Sequence, residues 1–146
     1  MHWALGTIVI LLVYGAVAVV ARLAPLARAE RAFWAAYRTR MPISDDDFCA
    51  KEFPDLTTLR DVPCKVRTIF AEQLDLEVEL LRADDDFLFY FAEMDAAELV
   101  MDVEERFDVV LNDTDLSSVP CTIRGATQLV LAKLALKPGA SSMTME

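Results

Sequence analysis

The sequence predicts an all-α protein: a small helical bundle preceded by a single membrane-spanning helix. Three observations carry this. Trp3 to Ala21 is a run of nineteen residues without a charge. Three later segments, around 62–74, 96–107 and 123–134, repeat apolar residues every three or four positions, as one face of a helix does. Between them stand cap and breaker residues, and no stretch alternates apolar and polar residues as a half-buried strand would.

The apolar run comes first. At about 1.5 Å per residue it nearly spans the roughly 30 Å hydrocarbon core of a bilayer, and Leu23 to Ala27 extend it past Arg22, whose long side chain can reach the interface. The membrane segment is therefore set at residues 3–27, and the anchor at 1–28. A cleavable signal peptide is the rival reading, with Ala16-Val17-Ala18 as a cleavage motif, but only Met1 and His2 precede Trp3 where a basic region is wanted. Arg22, Arg28, Arg31, Arg38 and Arg40 follow the run and no Lys or Arg precedes it, which places the N-terminus outside and the C-terminal domain in the cytoplasm. Residues 29–43, with Trp34 and Tyr37 among the arginines, read as a basic, aromatic juxtamembrane stalk, at the headgroup layer or simply solvated.

From Met41 onward the charge inverts to 23 acids against nine bases, within a net −10 for the 146 residues. So acidic a head excludes nucleic acid and favours basic protein surfaces. Three cysteines, Cys49, Cys64 and Cys121, without metal-ligand spacing give neither a disulfide framework nor a zinc site, and fit a reducing compartment.

The helical domain is set at 44–137. Ser44 before Asp45-Asp46-Asp47 is an N-cap followed by acids at the positive end of the helix dipole, so no metal is needed to explain the triple acid. This helix runs to about Phe53 and stops at Pro54. A longer one begins near Pro63, with Val62, Val66, Ile69, Phe70 and Leu74 on one stripe. A loop with a second triple acid, Asp84 to Asp86, leads to the aromatic segment 87–91, which reads as core. In the next helix Ala96, Leu99, Val100, Val103 and Phe107 form the core face. Met94, Ala97 and Met101 lie opposite among carboxylates, a second apolar stripe that reads as a docking strip edged by steering charge. Asn112 to Ser118 is turn-forming, Thr122 caps the last helix, Ile123, Ala126, Val130 and Leu134 make its stripe, and Lys133 and Lys137 sit at its negative end. Residues 138–146 read as a flexible tail.

In order and spacing, VRTIFAEQLDL at 66–76, the loop at 77–87, ELVMDVEERFDVVL at 98–111 and TIRGATQLV at 122–130 resemble the acyl carrier protein family, over about residues 62–136. The resemblance implies an acyl-carrier-protein-like four-helix bundle: three main helices and a short one before the last. It also implies a serine at the start of the second helix, in a Gly-x-Asp-Ser-Leu turn, that receives a phosphopantetheine arm. Aligning ELVM puts Glu93 in that serine's place, Ala92 in the aspartate's and Met94 in the leucine's, and the glycine is missing. A carboxylate cannot act as that hydroxyl nucleophile, so no phosphopantetheine is expected. Ser117, Ser118 and Cys121 sit near the last helix, away from the arm's position. Glu93 also places a negative charge at a helix N-terminus, where a loaded carrier has its phosphodiester.

Catalysis of its own is not expected, since the only histidine, His2, lies in the anchor. The expected function is a membrane-anchored carrier-like domain without the arm, holding a basic cytoplasmic or membrane-associated protein through Glu93, Met94, Ala97, Glu98, Met101, Asp102 and Glu105. The alternatives are a divergent true carrier in lipid or fatty-acid metabolism and a structural subunit of a membrane complex.

Overall fold

The computed structural model describes residues 19, 21, 23–91 and 96–137. Nearly all of the apolar run lies outside them, as do residues 92–95 and the tail, so the predicted anchor does too; among the described residues no helix is long and apolar enough to cross a membrane.

Every regular element among the described residues is helical. Helix α1 covers 23–37. Then come α2 (Asp45–Glu52), α3 (Asp61–Leu74), a 3-10 turn (Val78–Leu80), α4 (Leu88–Phe91), α5 (Ala97–Phe107), α6 (Asp113–Ser117) and α7 (Ile123–Ala135). The three main helices α3, α5 and α7, with the short α6 before the last, are the expected bundle. Helix α3 is its centre and packs on both α5 and α7. Its predicted stripe is buried throughout, from Val62 to Leu74. It ends where Asp75 turns into the left-handed region (φ 52), which a short polar side chain tolerates better than a branched one.

The predicted caps form. Ser44 Oγ accepts the Asp47 N–H (3.2 Å). Thr122 Oγ1 accepts that of Gly125 (3.0 Å). Asn112 and Asp115 form a reciprocal capping box, so the turn-forming stretch 113–117 is a helix. Gly125 has its own reason: a Cβ there would run into the Pro120 carbonyl, where the chain turns into α7.

The loop after α3 is laced to the start of α7 by Phe87 N–H to Cys121 O (3.0 Å) and Arg124 N–H to Ala83 O (2.8 Å). Arg124 also holds Asp84 (2.6 and 2.8 Å) and Glu52 (3.1 Å). Asp86 Oδ1 accepts the Leu88 N–H at the start of α4 (2.9 Å). The second triple acid is thus divided among protein partners, and no acid or thiol cluster suited to a metal occurs among the described residues.

The packing crosses the boundary that the sequence suggests at residue 44. Phe33 and Tyr37 of α1 are buried in the same core as the head. The Phe33 ring lies 5.6 Å from that of Phe87 and 5.5 Å from that of Phe89, and Tyr37 Oη accepts the Glu77 N–H (2.8 Å). Trp34 is half-buried, edge-on to Phe33 at 5.3 Å. The aromatics expected at lipid headgroups are therefore taken by the aromatic segment 87–91, which offers them a dry surface. Below α1, Arg40 forms a two-point pair with buried Asp85 (2.6 and 2.5 Å).

Two further features were not expected. Arg67 in α3 is fully buried; its guanidinium lies 4.3 Å from the Phe48 ring centre and donates to Asp45 (3.0 Å) and to Ile43 O (3.3 Å). Burial pushes its pKa down against the pull of Asp45. Cys49 and Cys64 form a disulfide joining α2 to α3, with Cα atoms 6.8 Å apart, and Cys121 stays free. The expectation of no disulfide is corrected here: packing of α2 on α3 brings together two cysteines fifteen positions apart.

Two predictions follow from this packing. Phe33→Ala should lower stability by about 3–5 kcal/mol, the usual loss on emptying a buried phenylalanine site, and a chain starting at residue 44 should melt at lower denaturant than one starting at residue 23; chemical denaturation measures both. The hydrogen bond from Arg124 holds the Asp84 carboxyl below its ordinary value. A depressed acid stabilises above its unfolded pKa of about 3.9 and loses that contribution as pH falls through the folded value. Arg124→Gln should therefore show a smaller loss of stability below about pH 4 than the parent chain, read from unfolding midpoints along a pH series.

Candidate functional site

Helix α5 has two working faces. Inward, Val103 and Phe107 are buried. Outward, Ala97, Glu98, Met101 and Glu105 are exposed, Met101 by 61%. Met101 stands between the exposed carboxylates of Glu98 and Glu105, an adaptable apolar surface with charge beside it. The helix ends at Asp108 in the left-handed region (φ 51). There Lys137 Nζ pairs with the Asp108 carboxylate (2.7 Å) and donates to Phe107 O (3.3 Å), which fixes this end against α7. Glu93 and Met94, predicted for the same strip, lie outside the described residues.

Asp102 is the one described residue of the predicted strip that faces elsewhere. It accepts from Gln73 Nε2 of α3 (2.7 Å) and sits 4.0 Å from the Arg106 guanidinium, with its side chain 31% exposed. Arg106 in turn pairs with Glu72. Asp102 therefore belongs to the α3–α5 seam: it stands one position from Val103, close enough to the buried arc for α3 to reach it.

Leu99 and Val100, expected in the core, are half-buried and line an apolar cavity of about 250 Å³. Phe70 of α3, Phe91 of α4, Val103 of α5 and Leu129 of α7 complete its inner wall. Cys121, Thr122 and Leu116 lie on the side of α6. Leu88, 53% exposed, and Leu116, 38% exposed, also line a second depression beside Cys121 and Thr122. The volume is just under the roughly 300–1,000 Å³ of common ligand pockets, and the lining suits an aliphatic chain. Periodicity could not reveal this space, because the same apolar residues that predict a filled core also line one left open.

Cys121, the free thiol, is partly buried here, and burial pushes its pKa up to about 12. It stays protonated and a poor nucleophile at neutral pH. Ser117 and Ser118 donate their hydroxyls to Thr114 O (3.1 Å) and Asp115 O (2.6 Å) within and beside α6. Thr122 is occupied as the α7 cap.

Among known proteins, the chain is similar to an acyl carrier protein of Cyanidium caldarium, 30% identical over 87 residues, which cover 58% of this chain and all of that protein. No family model matches, and no solved structure does. The arm of such carriers needs a hydroxyl where the chain enters the second main helix, here α5. By sequence that entry is Ala92, Glu93, Met94 and Asp95, and the serine hydroxyls nearest in sequence are engaged in α6.

Met101→Ala should shift stability by less than about 0.5 kcal/mol, whereas Phe107→Ala should cost about 3–5 kcal/mol; equal losses in denaturant titrations would make the outer stripe part of the core. Cys121 in the folded chain should react with iodoacetamide at pH 8 at least tenfold more slowly than in denaturant, because almost none of it is thiolate, as followed by peptide mass spectrometry.

Proposed function

We propose, from the premise that this chain belongs to the acyl carrier protein family, that it is a membrane-tethered member that binds a basic protein through the outer face of α5 and carries no phosphopantetheine. Members of the family are not enzymes in themselves, and the reading keeps to binding. The observation that carries it is the exposed set Ala97, Glu98, Met101 and Glu105 on α5; in the sequence before it, Glu93 aligns with the family's serine. The apolar stripe supplies contact area. The carboxylates attract a cationic surface over about a Debye length, close to 10 Å at 0.1 M salt. The tether is the uncharged run Trp3 to Ala21, and the arginines after it favour a head on the cytoplasmic side.

A second reading is favoured by the cavity: a divergent acyl carrier in lipid metabolism, with an aliphatic chain between α4, α5 and α7. Intact mass after co-expression with a phosphopantetheinyl transferase separates the two. The proposal expects an unchanged mass, and a gain of one phosphopantetheine on any residue would replace it with the second reading. For a partner recovered by capture with the full chain, Glu98→Lys with Glu105→Lys should abolish retention while the thermal melt stays unchanged. Retention that survives both reversals would move the docking face off α5.

A further inference from the structure

We infer that α1 lies along an anionic membrane leaflet, with Arg28, Arg31 and Arg38 on the lipid phosphates and the head held on the far side of the helix. The inference rests on the tether reading above and adds the orientation, the contact residues and the lipid class. Phe33 and Tyr37 point α1's inner face into the head. Arg28, Arg31, Ala35 and Arg38 are exposed. Arg31 and Arg38, a heptad apart, lie within about 20° of one line along the helix, and Arg28 stands one turn before Arg31. None of the three forms an ion pair among the described residues, whereas Arg40, Arg67, Arg106 and Arg124 all do.

Length decides the orientation. Arg28 and Arg38 are about 15 Å apart along the axis, and the headgroup layer on each side of the core is only about 5–8 Å thick. An upright α1 would carry Arg38 out of that layer, whereas a helix in the plane puts all three arginines on it. Charge agrees with this placement. The head from Met41 carries 23 acids against nine bases, is repelled by an anionic surface, and is attached to the face of α1 opposite the arginines.

The test uses the full chain in nanodiscs of phosphatidylcholine alone or mixed with phosphatidylglycerol. Phenylglyoxal modification of each arginine is followed by mass spectrometry, with exposed Arg60 as internal reference. Arg28, Arg31 and Arg38 should be protected in the anionic discs, by roughly a hundredfold together, and about 1 M salt should remove the protection. Arg31→Glu should weaken it at Arg28 and Arg38 while leaving Arg60 unchanged. Equal modification in both lipids, or protection of Arg28 without Arg38, would overturn the in-plane contact while leaving the tether intact. A chain that elutes apart from both discs would defeat the tether reading and this one together.

Discussion

Asp85 is the joint on which the molecule turns. Its carboxylate, 6% exposed, receives both guanidinium nitrogens of Arg40 and the backbone N–H of Arg82 (2.8 Å). Arg40 spends a further N–H on Leu80 O (3.1 Å). A carboxylate taken so far out of water is tolerable only with its lone pairs satisfied, and removing one partner of such a pair typically costs about 3–5 kcal/mol. The consequence reaches beyond local stability. This pair closes the chain between α1 and the loop that delivers the aromatic segment, so Phe33, Tyr37, Phe87 and Phe89 meet as one cluster. Helix α1 thereby becomes an arm of the bundle with a fixed inner and outer face.

The fixed arm gives the charge distribution a direction. Acids dominate the outer face of α5, and exposed arginines dominate the outer face of α1. Helix α5 divides its labour in the same way. Val103 and Phe107 hold it to the core, Leu99 and Val100 leave space beside it, and Met101 with its carboxylates faces solvent. Its position is set from outside the strip, by Gln73 on Asp102, by Arg106 with Glu72 and by Lys137 at its C-terminal end. Those contacts do not involve Glu98, Met101 or Glu105.

Two features pull in opposite directions on the compartment of the head. The Cys49–Cys64 disulfide is a bond of oxidising surroundings, and the proposed topology puts the arginines after the apolar run on a cytoplasmic side. The arginines carry more weight in the proposed topology, because α2 does not depend on its sulfurs. Phe48 is fully buried beneath the Arg67 guanidinium, and Arg67 reaches Asp45 on the first turn of α2. Those contacts hold α2 on α3 with the cysteines reduced.

The sequence by itself determined the helical class, the three main stripes and the caps at Ser44 and Thr122, because these are local: a stripe is set by 3.6-residue periodicity, and a cap by one side chain and the third N–H after it. Similarity over 58% of the chain supports the family that the motifs resemble. Met101 was legible too, since the arc opposite a buried arc must face outward. Only the tertiary structure decided the rest. An aromatic stripe at 33–37 suits a headgroup layer and a protein core equally well, and the proximity of residues 87–91 settled which. Arg67 looks in sequence like any helix-surface arginine until α2 covers it. Asp102 turned from strip to seam because Gln73, twenty-nine positions away, lies within 2.7 Å. The cavity is the difference between the volume the helices enclose and the side chains that fill it, a sum over five helices and a loop that no local pattern contains.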